Sequence, residues 1–336
     1  MKIAVLGLGF MGTTHVKALR SVDGVQLAAV FANDEKQLSG DLTEMRGNLG
    51  TAGEMMDFSA VKKFRALPPL LADPDIDGVD ICLPTHMHAS VAIDALRAGK
   101  HVLIEKPMAL DGPTADRILQ EAGNGRVLMT AQVLRFWPEY IALRQAVRGG
   151  RLGVPRTATF RRRCAKPDWG GWLFDPVKSG GGAFDLLIHD VDMCLHLFGP
   201  PEEISATGYL DLAGADSVTA QLYYSNGLTV LVTGGWHPPS KMPFSMEFTV
   251  TFDKGTMDFS SSGRPLTLYS QTENGPVLKS PGLDGYTAEL QYFVDCCNSG
   301  KKPEICPPEE SAAAVKLMLA ILEARNRNGE KIRCRL

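Results

Sequence analysis

Short apolar runs alternate with amphipathic stretches along the first 131 residues. Residues 2–6 form an apolar run that stops at Gly7 and reads as a buried parallel strand. The pattern then predicts helices over 12–19, 67–72, 88–98 and 113–122, and strands over 25–31, 78–83, 101–105 and 127–131. Gly99 stands where a glycine C-cap would close the third of these helices. Strand–helix alternation over this length predicts a doubly wound parallel sheet. The stretch 33–60, with four glycines, has no clear period.

The pattern changes after Val133. A helix is expected over 138–148, followed by β-branched and aromatic runs at 157–163, 217–224, 229–235, 244–252 and 256–260. Asn226-Gly227 is a hairpin turn signal, and Lys254-Gly255 marks a second turn. Strands in succession without helices predict a mostly antiparallel sheet. Amphipathic helices are expected over 286–298 and 309–326. The fold class is therefore α/β plus α+β, with domains at 1–131 and 132–336.

Composition narrows the function classes. Lys plus Arg is 35 against 38 for Asp plus Glu, a formal charge of −3, which gives no general attraction to nucleic acid or anionic membrane. The run Arg161-Arg162-Arg163 is a local exception. The longest apolar runs fall far short of the ~18 residues that span a bilayer. No secretory pattern opens the chain. Seven cysteines at irregular spacing, without a C-x-x-C pair, suggest reduced thiols in a cytoplasmic protein and no zinc site or other metal.

Gly7-Leu8-Gly9-Phe10-Met11-Gly12 is G-x-G-x-x-G between a strand and a helix, the context that gives this motif meaning. Gly7 permits the turn, Gly9 lets backbone approach a pyrophosphate, and Gly12 lets the helix pack on the strand. With Phe10 and Met11 they form a candidate cofactor loop. An acidic residue that holds the adenosine ribose is expected ~20 residues onward. Ala32 is there instead, followed by Asn33 and Asp34. If Asp34 turns toward the ribose, NAD is favoured. If it does not, a barrier to NADP is missing, and Asn33 or Lys36 could meet the 2′-phosphate. The cofactor is NAD or NADP.

Pro84-Thr85-His86-Met87-His88, the strand into Glu105-Lys106-Pro107, and Gly180-Gly181-Gly182 leading into Asp185-Leu186-Leu187-Ile188-His189-Asp190-Val191-Asp192 together resemble the Gfo/Idh/MocA family. The resemblance runs through nearly the whole chain. It implies an N-terminal Rossmann domain and a C-terminal domain on a large open sheet that often mediates a homodimer or homotetramer. It also implies that Lys106, Asp185 and His189 are catalytic. Pro84, Thr85, His88, Glu105 and Lys106 join the glycine loop and Asn33 as candidate cofactor residues. Two departures stand out: Ala32 at the ribose acid, and Leu83-Pro84-Thr85 where the family usually has T-P-N.

The residue chemistry agrees. Oxidising a secondary alcohol removes a proton from oxygen and a hydride from carbon, and imidazole is the natural proton acceptor near neutral pH. Asp185 and His189 are four apart on a predicted helix and share a face. Asp192 lies a turn further and reads as support for the helix. Lys106 ends a parallel strand at its carboxyl edge, where doubly wound sheets bind ligands. Arg163, Trp172 and His237 are candidates for the substrate side, with Trp169 a weaker one. The expected activity is NAD(P)-dependent hydride exchange with a sugar, polyol or inositol-like compound. Alternatives are an internal-redox glycoside hydrolase or lyase, and a nucleotide-sensing protein without turnover.

Overall fold

The computed structural model describes residues 1–47, 53–123, 125–167, 171–211, 216–237, 241–272, 274–277 and 284–336. The chain forms two compact units, 1–133 with 285–312, and 134–284 with 313–336. The expected boundary at 131/132 thus falls two residues later. The segment 285–312, assigned above to the second domain, returns to the first, because its helix carries an apolar stripe that is buried there.

The first unit begins β1 (Lys2–Leu6), α1 (Phe10–Ala18), β2 (Gln26–Phe31), α2 (Glu35–Leu38), β3 (Lys62–Phe64) and α3 (Leu67–Leu71). It continues β4 (Gly78–Ile81), α4 (Thr85–Arg97), β5 (His101–Glu105), α5 (Gly112–Glu121) and β6 (Leu128–Ala131). The strands are parallel in the order β3-β2-β1-β4-β5-β6. The order reverses between β1 and β4, so a ligand crevice opens outside the carboxyl ends there. Caps are local: Asp111 accepts the Thr114 N–H at 2.8 Å, with Pro113 in the first turn of α5. β3 was not predicted, since three residues with two exposed lysines carry no apolar period.

The second unit contains α6 (Pro138–Gly149), β7 (Pro155–Ala165), α7 (Pro176–Ser179), α8 (Gly181–Phe198), β8 (Glu203–Leu210), β9 (Asp216–Tyr223) and β10 (Thr229–His237). β11 (Ser245–Phe252), β12 (Gly255–Ser260), β13 (Arg264–Ser270) and β14 (Asn274–Pro276) follow. α9 (Gly285–Ser299) belongs to the first unit, α10 (Pro308–Asn326) begins there and ends in the second, and β15 (Ile332–Arg333) closes the chain.

The nine-stranded sheet runs β14-β13-β12-β11-β7-β10-β9-β8-β15. All its neighbours are antiparallel except β7 with β10. The hairpin at Asn226-Gly227 forms as expected: Gly227 has φ 84° and the Asn226 side chain accepts the Leu228 N–H at 3.1 Å. β8 and β13 escaped prediction because much of each is exposed, which erases the alternation.

One face of the sheet packs on α8. Ala158, Phe160, Arg162 and Cys164 of β7 are buried on that face, with Trp236 of β10 and Leu186 of α8 around Cys164. A Cβ at Gly182 would enter the Trp236 ring, so only glycine lets α8 lie this close. Tyr140 of α6 meets Phe248 edge-on at 5.1 Å between centroids. Among the described residues, no helix is long and apolar enough to cross a membrane.

Candidate active site

The glycine loop joins β1 to α1. Gly7 has φ 95°, and a Cβ at Gly12 would collide with the Gly7 carbonyl oxygen. Gly9 differs: a Cβ there would meet no protein atom within 4 Å. It N-caps α1 with no side-chain cap, and no acidic residue lies in the first turn. The loop therefore leaves open space beside helix N–H groups that an anion would satisfy. Phe10 and Met11 begin the helix, and the loop fits the pyrophosphate of a dinucleotide.

The end of β2 lacks the ribose acid. Ala32 is buried and Asn33 exposed. Asp34 is committed to α2, accepting the Lys36 N–H at 2.8 Å as its N-cap. Lys36 is drawn to Glu44 at 2.9 Å and Asp41 at 3.6 Å. Arg65 donates to the Asn33 carbonyl at 2.8 Å and pairs with Glu35 at 3.0 Å.

Pro84 N-caps α4 and Thr85 is buried in its first turn. His88 was expected to touch cofactor. It is instead buried, with Nδ1 2.8 Å from the Pro107 carbonyl and Nε2 2.7 Å from the Leu83 carbonyl. A neutral ring donates to one of these carbonyls at a time, and His88 packs the corner after β4 against the segment after β5. Burial lowers its pKa, against those two carbonyls. The Lys106–Pro107 peptide is cis. Glu105 is buried at the end of β5, and its Oε2 accepts the Lys106 N–H at 3.0 Å. Lys106 itself is partly accessible.

Asp185 and His189 lie on α8, in the second unit. Between 181 and 197 they are the two residues that are not buried, four apart on one stripe. The rest of the helix is locked in place. Arg135 grips Asp192 through two hydrogen bonds of 2.8 and 2.6 Å. Arg162 grips Asp190 at 2.7 and 3.2 Å. Burial pushes the Asp190 carboxyl up, against the pull of Arg162. Asp216 accepts the Ala183 N–H at 2.7 Å, serving the amino end of α8, and is balanced by Arg325 at 2.6 Å.

The structure does not group Arg163 and His237 with that stripe. Arg162, Cys164 and Trp236 face α8, so by strand alternation Arg163 and His237 lie on the opposite face of the sheet. They neighbour each other there, and His237 has its pKa lowered by burial and by Arg163. Trp172 sits half-buried in a short 3₁₀ turn, 171–174. Trp169 lies outside the described residues.

Sequence reasoning also missed a buried polar group under the glycine loop. His15, Asp80 and Cys82 bring their side-chain atoms within 4.8 Å of one another. These residues are far apart in sequence. The one readable signal is an aspartate, Asp80, inside the apolar run 78–83.

Comparison with known proteins agrees with the fold and the loop. The profile of the oxidoreductase family with an NAD-binding Rossmann fold (Gfo/Idh/MocA) matches residues 1–132. That of the Gfo/Idh/MocA C-terminal domain matches 140–258. Myo-inositol 2-dehydrogenase of Thermotoga maritima is 27% identical over 322 residues, covering 91% of this chain and 90% of that protein. Inositol 2-dehydrogenase of Rhizobium meliloti is also 27% identical, with 98% and 96% covered. A solved levoglucosan dehydrogenase, in complex with NADH and levoglucosan, is 18% identical with a TM-score of 0.84 and 100% of both chains covered, a likeness of fold. One profile takes in the glycine loop and the Glu105-Lys106-Pro107 strand end, the other the glycine-rich turn into α8, and the chain belongs to the Gfo/Idh/MocA family of oxidoreductases.

Proposed function

We propose that this chain exchanges a hydride between NAD or NADP and a secondary alcohol or ketone of a sugar, polyol or inositol-like compound. The observation that carries this reading is the accessible Asp185/His189 stripe on an otherwise buried helix, in a chain whose other unit presents a dinucleotide loop. The inositol dehydrogenases among its relatives support the substrate class.

The bound dinucleotide supplies the hydride acceptor. His189 takes the hydroxyl proton as general base. Asp185, one turn away, orients the imidazole and stabilises its protonated form. Lys106 donates to the reacting oxygen and steadies the charge that develops there. Gly7, Gly9, Phe10, Met11 and Gly12 receive the pyrophosphate, with Asn33, Pro84, Thr85 and Glu105 completing the cofactor side. His88 holds this corner in shape.

The seven cysteines stand as free thiols, which supports a reducing, cytoplasmic setting. The sheet face turned away from α8 is the surface we assign to a homodimer or homotetramer, and sedimentation tests that assembly.

The roles are tested by Lys106→Ala, His189→Ala and Asp185→Asn. Each is expected to lose most of kcat while dinucleotide affinity, read by fluorescence, stays near the parent value. Near-normal turnover in His189→Ala would refute the base assignment.

A further inference from the structure

The buried group beneath the glycine loop joins four elements of the first unit. His15 comes from α1, Asp80 and Cys82 from β4 and the residue after it, Glu105 from β5, and Glu289 from α9. His15 Nδ1 is 2.8 Å from Asp80 Oδ2, and His15 Nε2 lies 3.3 Å from Glu105 Oε1, an ion-pair contact outside hydrogen-bond geometry. Cys82 Sγ lies 3.5 Å from both His15 Nδ1 and Asp80 Oδ1. His15, Asp80 and Glu289 are fully buried.

The charges sort themselves. Burial opposes a charged imidazole at His15, but the Asp80 carboxylate overcomes it and holds the histidine pKa well above its ordinary value. Burial would raise Glu105; the His15 imidazole and the nearby Lys106 charge lower it instead. Burial raises Glu289 well above the usual carboxyl value, with His15 opposing and Glu105 and Asp80 adding to it. Neither Glu289 carboxyl oxygen has a hydrogen-bond partner among the described residues. One imidazole thus lies between two carboxylates, with a third carboxyl buried beside them and its pKa pushed up.

Glu105 gives this arrangement a consequence for the site. Its Oε1 faces His15, and its Oε2 accepts the backbone N–H of Lys106. Both carboxylate oxygens are therefore assigned, one to the interior and one to the turn from which the lysine departs. A carboxylate drawn to the imidazole through one oxygen and hydrogen-bonded to the turn through the other restrains that turn.

We propose that His15 is a positioning residue for Lys106, acting through Glu105: the imidazole held between Asp80 and Glu105 sets the carboxylate that anchors the Lys106 backbone, and so sets where the ammonium reaches. This rests on the role proposed above for Lys106, and it ties the helix of the cofactor loop to the strand that carries the lysine.

The test uses His15→Gln and the isosteric Asp80→Asn in the full chain. Two readouts separate this proposal from the reading beneath it. In the first, lysines are reductively methylated with ¹³C-formaldehyde and the Lys106 signal is assigned by its loss in Lys106→Arg. The proposal expects that signal to move in both variants while the other lysine signals stay. This needs no turnover, so it stands even where no substrate is found. In the second, kcat is expected to fall by up to about 100-fold, as misplacement of a reacting group by ~1 Å can do, with substrate KM and dinucleotide Kd within about threefold of the parent. An unmoved Lys106 signal in a folded variant overturns the proposal. So does a loss of kcat matched by an equal loss of cofactor affinity and thermal midpoint, which marks a purely structural role. Should His15→Gln not fold, Asp80→Asn decides alone.

Discussion

Asp192→Ala removes the carboxylate that receives two hydrogen bonds from Arg135. The pair is dry, with side-chain exposures of 0% for Arg135 and 1% for Asp192. A surface ion pair of this length would contribute at most about 1 kcal/mol. A buried one behaves differently, because deleting the carboxylate takes two charge-assisted hydrogen bonds from a guanidinium held away from water. Breaking such pairs costs about 3–5 kcal/mol. For a unit of this size that is a drop of roughly 6–20 °C in melting temperature. The geometry is bidentate, 2.8 and 2.6 Å, which places the expectation toward the upper part of the range. The assay is urea unfolding followed by circular dichroism and tryptophan fluorescence, with and without the companion change Arg135→Met. The double variant Arg135→Met/Asp192→Leu should recover most of the loss, since it removes both buried charges. A loss under about 1 kcal/mol in Asp192→Ala, or a double variant as unstable as the single one, would refute the reasoning. Because Asp192 is one turn from His189, the single variant should also lose turnover.

Other consequences follow from the same geometry. Gly9→Ala fits the protein, whose Cβ would meet nothing within 4 Å, yet it fills space assigned to the pyrophosphate. Its melting temperature should match the parent while dinucleotide Kd, measured by calorimetry, rises by about tenfold or more, a loss of ~1.4 kcal/mol. Ala32→Asp restores a carboxylate at the end of β2, and a like charge ~4 Å away costs about 1–4 kcal/mol. The ratio of NADP Kd to NAD Kd should therefore rise, and an unchanged ratio would move the ribose site elsewhere. Glu289 has its folded pKa raised, so it contributes stability below the ordinary carboxyl pKa that is lost as pH climbs toward the folded value. Glu289→Gln cannot ionise in either state. Its stability relative to the parent should increase from pH 5 to pH 8, by at most about 1.4 kcal/mol per pH unit. A gap that stays constant over that range contradicts a raised Glu289 pKa.

Much of this protein was legible because its elements obey simple periods. The apolar runs at β1 and β5 stop where the strands stop, the run 78–83 outlasts β4 by two residues, and the glycine loop reads as a loop because a strand and a helix flank it. Asp185 and His189 could be paired from helical spacing alone. What escaped was set by burial and by long-range contact. Arg163 looked like a substrate residue, but alternation along β7 turns it away from α8 while Arg162 faces it. His88 has the residue type of a site histidine, yet it is buried against the Pro107 and Leu83 carbonyls. The return of 285–312 to the first unit leaves no mark in composition. His15, Asp80, Glu105 and Glu289 meet only once the sheet is built, and Asp216 caps α8 from a strand 33 residues away.

The central claim is that hydride passes directly between a carbinol carbon and nicotinamide on this chain. The most direct measurement incubates the enzyme with NAD, then NADP, and a panel of inositols and sugars deuterated at the carbinol carbon, and reads the nicotinamide by NMR. The account predicts reduced nicotinamide carrying the deuterium with at least one panel member, and none when His189→Ala replaces the parent. Bound dinucleotide that stays oxidised throughout, or reduced nicotinamide with hydrogen from solvent in place of the label, would contradict it.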